Sequence, residues 1–156
     1  MILIADTSAL LAALTPKHEA HQGARDALNR AALTVVSPLV MTELDHMIRR
    51  DAKNTHQQRG AKQFGATQSR KVLEWITGET ARLRMAVPAA NADTIRQAVT
   101  IMNLHQHLAL DLADAVSVAL ASEYDTDAVL TLDREDFRAL RPLSGHTAFR
   151  LLPEDL

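Results

Sequence analysis

The sequence predicts an α/β domain built on a mostly parallel sheet. Three observations carry that prediction. Short aliphatic runs at 1–5, 33–36 and 128–132 are bounded by turn or capping residues, the pattern of buried parallel strands. Each run is followed by a segment with helical spacing, so strands alternate with helices. At 156 residues and 47% apolar side chains, the chain has the size of one domain with its own core.

The elements follow in order. Residues 1–5 form a first strand with Asp6 at its carboxyl end. Thr7 and Ser8 are capping types, and a helix follows over 9–14 until Pro16 stops it. A second helix spans 18–30, and Leu33-Thr-Val-Val36 is the second strand. Ser37-Pro38 supplies a cap and a proline at the first helical position. That helix runs to about Arg50, with Leu39, Val40, Leu44, Met47 and Ile48 on one face. Residues 51–68 are polar without a clear period, and read as a long connection or an inserted helical arm. A helix resumes over 71–80, a third strand covers 83–87 before Pro88, and another helix spans 92–105. A helix over 111–124, a strand over 128–132, a short helix over 134–140 and a strand over 148–152 complete the chain. No repeat or low-complexity tract divides it. One domain over 1–156 is expected, with a basic arm at about 51–70 that would be mobile.

Composition removes several function classes. With aromatics at 3%, the core must be aliphatic, and the absence of cysteine removes disulfides, thiolate metal sites and a thiol nucleophile. No apolar run approaches the roughly 18 residues of a membrane span. Met-Ile-Leu-Ile-Ala-Asp at the start lacks the basic and long apolar regions of a secretory signal. A soluble, cytoplasmic protein with no membrane partner is expected. The net charge of −2 hides an asymmetry. Arg49, Arg50, Lys53, Arg59, Lys62, Arg70 and Lys71 are opposed only by Asp51, so this segment carries +6 and the remainder −8. Such a lobe can supply phosphate contacts, and it also reads as a solvated loop.

The acids are the chemistry-bearing residues. Asp6 and Asp133 each end an apolar strand, where open α/β sheets build their sites. Asp111 and Asp114 lie three apart at the start of an otherwise apolar helix, hence on one face. Glu43 falls within or beside the apolar stripe of its helix. Each has a local alternative: Asp6, Asp111 and Asp133 can cap the helices they precede, and Glu43 can sit at a solvated edge. Of the five, Asp111 reads more as a cap than as a ligand. Converging carboxylates repel one another unless a cation lies between them. Oxygen-only ligands without cysteine suit Mg²⁺ or Mn²⁺, and the chemistry to expect is metal-assisted phosphodiester hydrolysis. His105 and His107 do not share a helical face, there is no glycine-rich phosphate loop, Ser8 lacks a nucleophile-elbow context, and Trp75 reads as a core or interface anchor.

Four motifs together resemble the PIN-domain family, and most of all its VapC-type ribonuclease toxins from bacterial toxin–antitoxin pairs. They are Asp6-Thr-Ser-Ala-Leu10, Thr42-Glu43-Leu44, Leu112-Ala-Asp114-Ala-Val116 and Leu130-Thr-Leu-Asp133-Arg-Glu-Asp-Phe137. The similarity runs from Ile2 to about Leu152. The resemblance implies a three-layer α/β/α domain and a Mg²⁺- or Mn²⁺-dependent endoribonuclease acting on tRNA or another structured RNA. It puts the four family acids at Asp6, Glu43, Asp114 and Asp133. Asp6 and Asp114 would bind metal directly, with Glu43 and Asp133 acting partly through waters and one of them helping to deprotonate the attacking water. Thr7, Ser8 and Thr131 would orient carboxylates or waters; Asp111 and Asp136 carry less weight. It further implies a homodimer inhibited by a small VapB-type antitoxin, whose C-terminal segment crosses the active-site groove.

The basic stretch around 51–70 is longer than in compact relatives. It suggests RNA contacts from Arg49, Arg50, Arg59, Lys62, Arg70 and Lys71, and equally an antitoxin-binding surface. Alternative readings are a PIN-like nuclease of RNA processing or of DNA outside any toxin system, and a catalytically silent partner-binding module. A complete acid set disfavours the last. An aspartyl phosphatase would want a second Asp two residues after Asp6, where this chain has Ser8.

Overall fold

The computed structural model describes residues 1–55, 60–108 and 110–156. In chain order the elements are β1 (Ile2–Ala5), α1 (Thr7–Leu14), α2 (His21–Arg30), β2 (Leu33–Val36), α3 (Pro38–Thr55) and α4 (Ala61–Ala81). They continue with β3 (Met85–Ala86), α5 (Ala92–Leu104), a 3₁₀ turn (Gln106–Leu108), α6 (Leu112–Glu123), β4 (Ala128–Leu130), α7 (Arg134–Ala139) and β5 (Arg150–Leu152).

The five strands form one parallel sheet in the order β3-β2-β1-β4-β5. Alternation along each strand divides the core in two. Leu3, Ala5, Val36, Leu130 and Leu152 face a layer made with Ala9 and Leu10 of α1, Val40 and Leu44 of α3, and Ile76 of α4. Ile4, Val35, Val129 and Leu151 face the other layer, with Ala98 and Ile101 of α5, Val116 and Leu120 of α6, and Phe137 of α7. The architecture is therefore three-layer α/β/α. Trp75 packs half-buried against the first layer. Among the described residues no helix is long and apolar enough to cross a membrane.

The strand order has a functional consequence. From β1 the chain steps to β2 and β3 on one side, then crosses to β4 and β5 on the other. That makes the space beyond the carboxyl ends of β1 and β4 a topological switch point, the place where ligands bind in open α/β sheets.

The largest difference from the sequence reading is the basic stretch. Instead of ending near Arg50 and resuming near Lys71, α3 continues to Thr55 and α4 begins at Ala61. The two helices pack closely because small residues meet. A Cβ on Gly65 would lie 2.9 Å from the Ala52 Cβ and 3.1 Å from the Arg49 Cα, and buried Ser69 donates to Asp45 across the pair. The contacts use too few apolar side chains to leave a periodic hydrophobic signal. At Gly60 the backbone turns into α4 with φ 105, a conformation that favours glycine. β3 is cut to two residues because Leu83, expected within the strand, has φ 58 and is exposed.

Candidate active site

Asp6 follows β1 directly at the switch point. Its backbone N–H donates to Leu130 O of β4 at 2.9 Å, so the residue is fixed to both central strands. The residue is 7% exposed, and its carboxylate accepts three hydrogen bonds. Oδ1 accepts from the Thr7 N–H at 2.6 Å, while Oδ2 accepts from Ser8 Oγ at 2.7 Å and from Thr131 Oγ1 at 2.8 Å. The capping and functional readings of Asp6 are therefore both physically available: it is the N-cap of α1, and it lies at the strand end facing the other acids.

Glu43 enters from α3, a turn and a half past Pro38. It is half-buried, and Thr7 Oγ1 donates to its Oε2 at 2.5 Å. Neighbouring hydroxyls on the first turn of α1 thus serve two different acids. Burial pushes the Glu43 carboxyl up, the Thr7 hydrogen bond opposes that, and the charges of Asp111 and Asp6 reinforce it.

Asp114 sits in the first turn of α6, and its backbone N–H donates to Asp111 Oδ1 at 2.9 Å. Asp111 is thus the cap the sequence suggests. It also faces the site, lining a groove of about 280 Å³ with Leu39, Thr42, Glu43, Leu112 and Ala113. The capping argument alone missed this second role; the signal was the three-residue spacing from Asp114. Burial pushes the Asp114 carboxyl up to about 7, helped in decreasing order by the charges of Asp111, Asp6, Asp133 and Glu43. All five acids of the sequence analysis therefore share one electrostatic neighbourhood.

Asp133 stands at the N-cap position of α7 but its side chain makes no cap hydrogen bond, and it is exposed. Its backbone N–H donates to Thr131 Oγ1 at 3.0 Å. Asp136, one turn on, is raised by burial first and by Asp133 second, so it lies at the margin of the cluster.

Among the described residues, no ion pair includes Asp6, Glu43, Asp111, Asp114 or Asp133. As the side chains stand, no trio of His, Asp or Glu among those residues closes to coordination geometry around one point. The chemistry of the donor set nevertheless fits a hard divalent cation: oxygen-only, acidic, partly buried and, among the described residues, without a paired counter-charge. His105 and His107, with ring centroids 6.1 Å apart, are not part of it.

The basic candidates lie along the α3–α4 pair. Arg49 pairs with Asp45 at 2.7 Å, Arg50 with Asp51 at 3.4 Å and Arg70 with Glu74 at 4.0 Å, all exposed. Lys62 and Lys71 are exposed and enter no ion pair among the described residues. Arg59 lies outside the described residues. Arg50 is seven residues after Glu43, so it sits on the same side of α3 about 10 Å further along.

Comparison with known proteins places these features in context. The PIN domain family model matches residues 3–141. The chain is 34% identical over 144 residues to Ribonuclease VapC26 of Mycobacterium tuberculosis, covering 92% of this chain and 95% of that protein. It superposes on the crystal structure of M. tuberculosis VapC20, a Sarcin-Ricin loop cleaving toxin, with a TM-score of 0.66 at 17% identity, covering 88% of this chain and 94% of that one. It also superposes on VapBC2 from Rickettsia felis, bound to a DNA fragment from its promoter, with a TM-score of 0.63 at 11% identity, covering 97% and 98%.

Proposed function

The chain belongs to the PIN-domain family and resembles its VapC ribonucleases over nearly its whole length, and from that premise we propose that it is a Mg²⁺- or Mn²⁺-dependent endoribonuclease toxin. Its substrate would be tRNA or another structured RNA, and a small VapB-type antitoxin would neutralise it. The observation that carries the metal-dependent reading is the uncompensated acid set at the switch point. Burial first, and then the charges of four neighbouring acids, raise the Asp114 carboxyl to about 7, and among the described residues no cation pairs with any of these acids. A divalent ion is the simplest counter-charge.

Asp6 and Asp114 are the direct ligands in this reading. With three of about four lone-pair positions on Asp6 already accepting hydrogen bonds, Oδ1 is the oxygen left to bind. Glu43 and Asp133 act through waters. Thr7 holds Glu43 Oε2 and leaves Oε1 free for such a water, and Glu43 or Asp133 takes the proton as the water attacks. The bound ion would orient and acidify that water and stabilise charge on the phosphorane-like transition state. Arg50, on the Glu43 side of α3, and Lys62 and Lys71 on α4 would neutralise flanking phosphates. Two features support the antitoxin: an acid set that a basic side chain could neutralise, and a groove of about 460 Å³ in which Leu11, Leu14, Ile48, Phe64 and Val72 line an apolar floor beside the polar Thr15, Asp51, Asn54 and Gln68.

The test is cleavage of a structured RNA by purified protein. Cleavage should require Mg²⁺ or Mn²⁺ and stop in chelator. Asp114→Asn should lower the rate by at least about 100-fold with an unchanged far-UV spectrum, since it removes a direct ligand. Undiminished cleavage in chelator or by this variant would refute the mechanism.

A further inference from the structure

We propose that Ser8 is a positioning residue that fastens the turn carrying Asp133 to the Asp6 carboxylate, coupling the first and fourth acids. The inference rests on the metal-dependent nuclease reading. Its basis is the hydrogen-bond pattern of two hydroxyls. Ser8 Oγ accepts the Leu132 N–H at 2.9 Å and donates to Asp6 Oδ2 at 2.7 Å. Thr131 Oγ1 accepts the Asp133 N–H at 3.0 Å and donates to the same oxygen at 2.8 Å. A hydroxyl has one hydrogen, and the shortest donor contact of each is to Asp6; for Thr131 the alternative acceptor, Asp133 O, lies farther off at 3.5 Å. The two oxygens, 3.4 Å apart, therefore converge on Oδ2 while each accepts a consecutive backbone N–H of the turn. The turn hangs from the carboxylate through two relays.

Ser8 is the relay that crosses the fold. Thr131 belongs to the turn itself, whereas Ser8 arrives on α1, 124 residues before Leu132. Its neighbour Thr7 is committed to Glu43 and cannot substitute. Asp133 needs this support because its own carboxylate makes no capping bond, and α7 is only six residues long. Phe137 anchors the middle of α7 in the core against Phe149, and the remaining side-chain ties are ion pairs of Arg134 and Arg138 with Glu154 and Asp155. They are exposed and hold the outer side of the helix, where such pairs contribute little. Ser8 holds the side facing the acids. Without its hydroxyl, the Leu132 N–H loses its acceptor and the turn can move away from Asp6.

The experiment is a double-mutant cycle on the full chain, with Ser8→Ala, Asp133→Asn and the pair, read by calorimetric Mn²⁺ affinity and by steady-state RNA cleavage. Ser8→Ala should lower Mn²⁺ affinity and kcat on the order of tenfold, the usual loss when a residue supporting a ligand is removed, with KM for RNA little changed. In the Asp133→Asn background the same substitution should cost clearly less Mn²⁺ affinity than in the parent, because the share of its effect that acts through Asp133 is already gone and only its bond to Asp6 remains to be lost. Equal losses in both backgrounds, or no loss in the parent background, would overturn the coupling. Should Ser8→Ala lose the native far-UV spectrum, Ser8→Cys keeps the size with a weakly bonding thiol and is judged by the same criteria. A parent protein that neither binds Mn²⁺ nor cleaves RNA refutes the nuclease reading. A parent that does both, with independent effects in the cycle, refutes only the role of Ser8.

Discussion

Asp6 and Asp114 are both site aspartates, yet their surroundings treat them oppositely. Asp6 accepts three hydrogen bonds from donors on α1 and the β4–α7 turn. Asp114 feels burial and four like charges, which push its carboxyl from 3.8 to about 7. A carboxyl raised in the folded state favours folding while protonated, and that contribution is lost as pH rises through the folded value. Without divalent metal, the melting temperature of the parent relative to Asp114→Asn should therefore fall between about pH 4 and pH 7. Glu43, also raised, works in the same direction. Paired thermal melts in chelator test this; a difference that does not change with pH would contradict it. Mg²⁺ or Mn²⁺ should narrow the dependence, since a cation stabilises the ionised form. The residue types and their order were legible in the sequence. The contrast between the two aspartates was not, because it depends on burial and on groups the fold brings from far along the chain, such as Thr131 to Asp6 and Asp6 and Glu43 to Asp114.

At the scale of elements, the helices with clear apolar spacing were legible and the α3–α4 junction was not. Helix α6 has Ala115, Val116, Val118, Ala119 and Leu120 buried in succession, a strong signal. The facing ends of α3 and α4 instead meet through Gly65, Ala52 and Ser69, which polar sequence disguises as a loop. In an isolated helix Gly65→Ala would add about 1 kcal/mol of stability. Here the new methyl meets the Ala52 Cβ at 2.9 Å and the Arg49 backbone at 3.1 Å, neither of which can swing aside. Gly65→Ala should therefore destabilise the protein by about 1–3 kcal/mol, the usual cost of overpacking. Denaturant unfolding measures it, and a gain in stability would show that the helices do not pack this closely.

Over the whole molecule, charge is divided between an acidic site and a basic helical pair, joined by α3, which carries both Glu43 and Arg50. Lys62 and Lys71 are nine residues apart and so fall on opposite sides of α4, making the lobe charged all round rather than striped. Neutralising Lys62, Arg70 and Lys71 together should weaken RNA binding and lower the slope of log affinity against log salt by up to about 2–3, the number of phosphate contacts removed. Binding titrations across salt concentrations test this; an unchanged affinity and slope would remove the lobe from the RNA interface. The sequence by itself determined the α/β class, the strand-to-acid junctions at Asp6 and Asp133, and the family motifs, because burial periodicity and local spacing are written along the chain. Only the tertiary structure decided that β1 and β4 are adjacent, that Ser8 and Thr131 share one oxygen of Asp6, and that Asp111 is both a cap and a neighbour of Glu43. Those relations join segments more than 60 residues apart, and strand order and packing fix them rather than any local pattern.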